Sequence, residues 1–301
     1  MQRVALRYRA LKSTPLCATL VLFGSSALGQ IQVDLRLPRL QYIAYEPVVA
    51  TVGITNLAGR DVDLHDVPGQ PWFGFEVTGQ DGQIIGPLKT SATQPPLKIE
   101  AGKRVTQKIN LTPLFQVHDF GTYHVRAHIY FVDLAKYFYS PAKVFEVTDA
   151  RPIWQRTVGI PEETAGPGDM RTYSLLTNRF PDHTSLYLRV EDKDRGIVYA
   201  TYSLGRIIAF DEPHAELDRA NQLHVLFCAA PRAWAYDRIG LNGELLSHAS
   251  FMETKTRPRL VHDNDGGVKV AGGMMEAPLS QESRNAVPKL SDRPQNMPKN
   301  E

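Results

Sequence analysis

Apolar residues fall on alternate positions along most of this chain, in runs of four to ten separated by turn residues, the signature of half-buried β-strands. Val48–Ile54 alternates and stops at Asn56–Gly59, and Asp61–Leu64 alternates again. Trp72–Val77 is an aromatic strand, Gln80-Asp81-Gly82 a hairpin turn, and Ile84-Ile85 the start of its return. Leu97–Ile99, Val105–Leu111, Gly121–Tyr130 and Val144–Val147 complete seven or eight short strands, which predicts a β-sandwich over residues 30–150.

A second pattern follows Arg151-Pro152-Ile153-Trp154, where a domain boundary is expected, and the turn-rich Pro161–Gly168. Leu186–Val190, Ile197–Ser203, Leu223–Phe227 and Ala233–Ile239 read as strands, with Asn242-Gly243 as a hairpin turn. Pro213–Val225 returns at Pro258–Val270 with a constant offset of 45 residues. It matches Asp218 with Asp263, Asn221 with Gly266, Leu223 with Val268 and Val225 with Val270. Gly205 and Gly243 pair at a similar spacing. A turn feeding a strand at this period predicts repeated sheet units, about three of them between residues 151 and 273. From Met274 to Glu301 the alternation stops and Pro, Asn, Ser and Lys dominate, so residues 274–301 read as a disordered tail.

Two resemblances rest on these residues. Tyr45-Glu46-Pro47-Val48, Asn56 and Gly121-Thr122-Tyr123-x-Val125 resemble the immunoglobulin-like or fibronectin-like module of exported bacterial proteins. That resemblance implies that the Tyr123 hydroxyl anchors a chain corner. The Asp-x-x-Asn/Gly-x-apolar-x-Val repeat is similar to β-propeller blades. Together they imply an all-β chain: an immunoglobulin-like sandwich, then a second β-domain of about three blade-like antiparallel units. Three are too few to close a propeller, which typically has four to eight blades. The units would therefore dock as an open stack on the sandwich, be completed by further copies as a homo-oligomer, or form a second sandwich.

Composition changes this picture little, except at the N-terminus. Arg3, Arg7, Arg9 and Lys12 precede the short apolar run Leu16–Gly24, and Ala27 and Gly29 suit cleavage before Gln30. Residues 1–29 thus read as a cleaved signal peptide, and the mature chain as secreted or periplasmic without a membrane span. A net charge of +2 gives no reason to expect nucleic acid. Cys228, in the apolar strand Leu223–Ala230, is the only cysteine after the signal and reads as a core residue.

Candidate chemistry is sparse. No Gly-x-Ser-x-Gly, His-Glu-x-x-His or phosphate-loop pattern appears, and no cofactor is expected. His124 and His128 share a strand face but stand about 13 Å apart, too far to chelate one metal by themselves. Asp192-x-Asp194-x-Gly196 and Asp263-x-Asp265-x-Gly267 resemble part of a calcium loop, although the same residues make plain hairpin turns. Trp154, Trp234, Tyr236 and Arg238 are the candidate ligand surface, with Trp72 a further sugar-stacking candidate. The expectation is a non-enzymatic exported binding or structural protein with a protein or glycan partner. The alternative is a glycan-active accessory component whose site lies in the crevice between the two halves.

Overall fold

The computed structural model describes residues 30–88, 94–160, 168–208 and 211–276. Residues 1–29, expected to be a signal peptide, and residues 277–301, most of the expected tail, lie outside the described residues. Strand accounts for nearly all the regular structure among the described residues, arranged as several separate sheets, with one short 3-10 turn at Val132–Leu134.

The N-terminal half contains β1 (Ile31–Arg36), β2 (Gln41–Ile43), β3 (Val49–Asn56), β4 (Val62–Leu64), β5 (Phe73–Thr78) and β6 (Ile84–Ile85). It continues through β7 (Leu97–Ile99), β8 (Arg104–Asn110), β9 (Gly121–Phe131), β10 (Lys136–Tyr139) and β11 (Lys143–Thr148). The sheet β1-β3-β8 faces the sheet β2-β11-β9-β5-β6, and β10 pairs with part of β9. Odd-numbered residues of β9 from Tyr123 to Phe131 point inward and join Val33, Val52, Ile54, Trp72 and Phe145 in one core. Asn56 ends β3 by bonding three backbone groups: its amide donates to the Arg60 and Ile99 carbonyls, and its oxygen accepts from Ala58 N–H. The Tyr123 hydroxyl donates to the Asp119 carbonyl at 2.8 Å, four residues upstream, as the resemblance implied.

The C-terminal half contains β12 (Arg151–Gly159), β13 (Met170–Arg179), β14 (Thr184–Asp192), β15 (Ile197–Ile207), β16 (His214–Leu217) and β17 (Leu223–Ala230). Then come β18 (Ala233–Ile239), β19 (Leu245–Met252), β20 (Arg259–His262), β21 (Val268–Ala271) and β22 (Met274–Met275). β12-β13-β14-β15 is one antiparallel meander and β16-β17-β18-β19-β22 another, while β20 and β21 pair only with each other. The two meanders pack through Tyr173, Leu175, Leu188, Val190, Val225, Phe227 and Ile239. The β20–β21 hairpin lays Leu260 and Val270 on the other face of the second meander, against Leu226, Cys228, Trp234 and Phe251. Covered on both sides, β17 is apolar almost without interruption.

The described residues thus hold two meanders and one hairpin, not three like units. The 45-residue repeat is nevertheless structural. Asp218 Oδ1 accepts from Ala220 and Gln222 N–H, and Asp263 Oδ1 accepts from Asp265 and Gly267 N–H. Asn221 and Gly266 both take positive φ, 58° and 77°, and Arg219 N–H donates to the Gly266 carbonyl, so one turn sits on its copy. The Gly205–Gly243 match fails. Gly205 lies inside β15 beside a bulge, whereas Gly243 forms the β18–β19 turn. Met274 and Met275 pair with β19, so ordered structure runs past the expected start of the tail.

Turns of the second meander are gripped by the first. Tyr173 and Tyr202 hydroxyls donate to the Asn221 and Gly243 carbonyls, and the buried Arg171 guanidinium donates to Asn242. A Cβ on Gly243, at φ 88°, would meet the Ala200 Cβ at 2.4 Å. Only glycine permits so close an approach.

The two halves meet through Ile43, Ala150, Leu176 and Tyr187. Beside this patch, buried Glu46 pairs with Arg39, which also donates to the Tyr187 hydroxyl. Arg189 donates to the Ala44 carbonyl at 2.6 Å. Tyr45, at φ 66°, stacks on His118. The Tyr45 ring also lies 5.4 Å from the Arg189 guanidinium of the other half, so the Tyr45-Glu46 motif takes part in the contacts between the halves, which its place before a strand did not suggest.

Candidate ligand-binding face

Of the expected ligand-surface residues, Trp234, Tyr236 and Arg238 alternate on one face of β18, and that face is covered. Trp234 is 2% exposed, beneath Arg257 at 4.4 Å, and offers no ring to a ligand. Tyr236 is half-buried, with its hydroxyl 2.7 Å from His224 Nδ1. Arg238 is half-buried opposite His224. Trp154 packs at the margin of the core between the meanders, away from the other three and away from the crevice. Trp72 is fully buried and donates its indole N–H to the Gln94 carbonyl. The crevice itself is filled by the apolar patch around Tyr187.

The aspartates are occupied by structure. Asp192 is 2% exposed, lies 3.7 Å from Arg171 and 3.9 Å from Arg195, and accepts from Arg195 N–H. Asp194 and Asp265 are exposed turn residues, and Asp263 closes its own turn. Among the described residues, no three His, Cys, Asp or Glu side chains are grouped to hold a metal ion.

One polar chain had no sequence signal. Asp218 Oδ2, His224 Nε2 and Nδ1, and the Tyr236 hydroxyl are linked at 3.2 and 2.7 Å. Its members are 6 and 12 residues apart and meet only across the β16–β17 and β17–β18 pairs. Burial raises the Tyr236 hydroxyl above its usual range, so the chain ends in a phenol that holds its proton.

The concave surface with converging aromatic and charged groups lies on the solvent-facing side of the six-stranded sheet. Alternation turns His124, Arg126, His128 and Tyr130 of β9 outward. Register then sets Tyr137 of β10 beside Tyr130, and Tyr139 beside His128. The rings form one cluster: Tyr130–Tyr137 centroids are 4.9 Å apart, His128–Tyr137 5.4 Å and His128–Tyr139 5.9 Å. Gly74, opposite His128 on β5, makes the room. A Cβ there would lie 2.5 Å from His128 Nε2, so the imidazole lies across the strand.

Glu76 and Arg126 form the polar part of this face, with Arg126 donating to both carboxylate oxygens at 2.7–2.8 Å and lying 4.5 Å from the Tyr139 ring. The pair separates two hollows. One, of about 390 Å³, has Thr78, Gln80 and His124 on its walls. The other, of about 310 Å³, runs from Tyr137 and Tyr139 across His128 to Ile85, Pro87 and Phe115. Burial lowers the His128 pKa below the usual histidine value, and Arg126 adds to this while Glu76 opposes it. The imidazole is therefore uncharged at pH 7. The paired histidine alternation was visible in the sequence. The tyrosines of β10 were not, because Lys136–Tyr139 follows a 3-10 turn with no glycine or proline to mark it.

No protein-family model matches the chain, and no curated protein matches it. Among solved structures it is similar to a sporulation control protein from Bacillus subtilis, at 11% identity over 59% of this chain and 91% of that chain, with a TM-score of 0.27. Likeness at that level carries no argument about function. No helix among the described residues is long and apolar enough to cross a membrane.

Proposed function

We propose that this chain is an exported, non-enzymatic binding protein that contacts a glycan through the outer face around His128, Tyr137 and Tyr139. The carrying observation is the ring cluster itself. Three tyrosines and a histidine stand on the solvent side of a sheet whose other side already fills the core, with Tyr139 45% exposed. These rings stand outside the core and present flat apolar faces edged by hydroxyls. The apolar face of a sugar stacks on such a ring, and the Glu76–Arg126 pair offers both an acceptor and donors to its hydroxyls. Hollows on either side of that pair leave room for successive units of an extended chain.

Within this reading the N-terminal half is an immunoglobulin-like module, supported by the Tyr123 corner, and the meanders are blade-like sheets docked on it. Export is supported by the basic start, apolar run and small residues of positions 1–29. The test is a glycan array followed by calorimetric titration of any hit. The expected result is binding that falls at least about tenfold in Tyr137→Ala/Tyr139→Ala, a loss the size of one ring contact. A wild-type protein that binds no glycan, or a hit indifferent to the double substitution, overturns the reading.

A further inference from the structure

Behind His128, on the open side of the sandwich between β5 and β8, lies a cavity of about 350 Å³ that adjoins the smaller hollow of the outer face and shares Phe75, Pro87, Phe115 and His128 with it. Its body is apolar, walled by Phe73, Phe75, Leu114 and Phe115. Among the described residues, Lys108 is the one lining residue that is charged at neutral pH, and no aspartate or glutamate lines the cavity. Lys108 is exposed, and no carboxylate lies within ion-pair distance of it among the described residues. Its cross-strand neighbour is Thr51, and the next residue in that row is Arg36, while Asp34 in the adjacent row is paired with Arg104. His128 makes no side-chain hydrogen bond among the described residues and supplies an uncommitted ring nitrogen to the wall. Sidedness of this kind, an apolar body under a lone cation, fits a particular class of ligand.

We propose that this cavity binds a small amphipathic monoanion: an apolar aromatic body of two or three rings carrying a single carboxylate or sulfonate. The body occupies the space between Phe73, Phe75 and Phe115, and the anionic group meets the Lys108 ammonium. The volume is at the small end of the range for ligand pockets, which excludes a large lipid or a folded peptide. The site extends beyond the glycan face: it shares His128 and Phe115 with that face, while Phe73, Lys108 and Leu114 line only the cavity and Tyr137 and Tyr139 do not line it.

The test uses two fluorescent probes of nearly identical body, 1-anilinonaphthalene-8-sulfonate and its uncharged analogue N-phenyl-1-naphthylamine, titrated into the native full chain. The sulfonate should bind at least about tenfold more tightly, the size of one charge-assisted contact. Lys108→Met, at an exposed position that does not threaten folding, should abolish that preference and leave the neutral probe unchanged. Leu114→Trp, which fills the cavity, should weaken both probes. Tyr137→Ala/Tyr139→Ala should leave both unchanged, so failure of the glycan reading and failure of this one are separately visible. Equal affinity for the two probes in wild type, or a sulfonate preference that survives Lys108→Met, overturns the proposal. If Leu114→Trp does not fold, the Lys108→Met result decides.

Discussion

Asp237 is a carboxylate whose surroundings oppose its charge. It is 2% exposed on the inward side of β18, and Oδ1 bonds His248 at 2.6 Å, while Oδ2 has no partner among the described residues. Burial raises its pKa above the usual carboxylate value, only partly offset by His248. The same burial, with Asp237 nearby, pushes the Tyr202 hydroxyl up to about 12. With its pKa raised on folding, Asp237 holds its proton more tightly in the folded chain than in the unfolded one. Stability is therefore lost as pH rises from the unfolded value through the folded one. Asp237→Asn keeps an acceptor for His248 and removes the charge. It should stabilise the protein by about 1 kcal/mol at pH 7 and by nothing at pH 3, read from urea midpoints at both. An equal gain at both pH values would show that charge is not the cause.

Roles that a residue plays within its own turn are legible in the amino-acid sequence: Tyr123, Asp218 and Asp263 bond backbone within four residues of themselves. The covering of Trp234 is not, because period-2 alternation assigns a residue to a face without saying what lies over that face.

At the scale of elements, the repeat identifies a position rather than a fold. The fourth residue of each Asp turn takes positive φ, and its two occupants, Asn221 and Gly266, are the residue types that tolerate it. Exchanging one solution for the other should therefore be mild and leaving the set costly. Gly266→Asn is expected to unfold close to wild type in urea, and Gly266→Val to lose about 2 kcal/mol. A Val variant as stable as the Asn variant would break the equivalence of the two turns.

The elements that escaped the sequence have physical reasons too. β13 mixes Thr, Ser and Tyr with Leu because one face meets the second meander and the other approaches the sandwich, which erases a clean alternation. β12 is exposed along most of its length, with Pro152 and a bulge at its start, so its residues read as a linker. Both devices also blunt an edge strand that would otherwise accept a foreign one.

At the scale of the molecule, the two halves hold each other through a buried charge. Glu46 is 4% exposed, and its cation comes from Arg39 of the same half, which in turn binds Tyr187 of the other. Removing Arg39 leaves that carboxylate buried without a counter-charge. Arg39→Ala should cost about 3 kcal/mol and separate the unfolding of the two halves into two resolved calorimetric transitions. Adding Glu46→Gln should recover part of the loss. A single unshifted transition would mean that the apolar patch around Ile43 and Leu176 holds the halves unaided. Nothing in the sequence showed this arrangement, since Arg39 and Tyr187 are 148 residues apart and neither lies in a motif. The two largest buried clusters, by contrast, draw on residues 31–147 and 173–239, and a smaller one joins Ile43 and Ala150 to Leu176 and Tyr187.

The hairpin laid over the second meander has a kinetic consequence. Cys228 sits in the layer beneath it, 7% exposed, with its thiol pKa raised by burial. A thiol reagent gains access to a sulfur so placed when β20–β21 lifts away, so the rate of its modification responds to those openings. The chain carries in its own core a clock for the motion of its outermost layer.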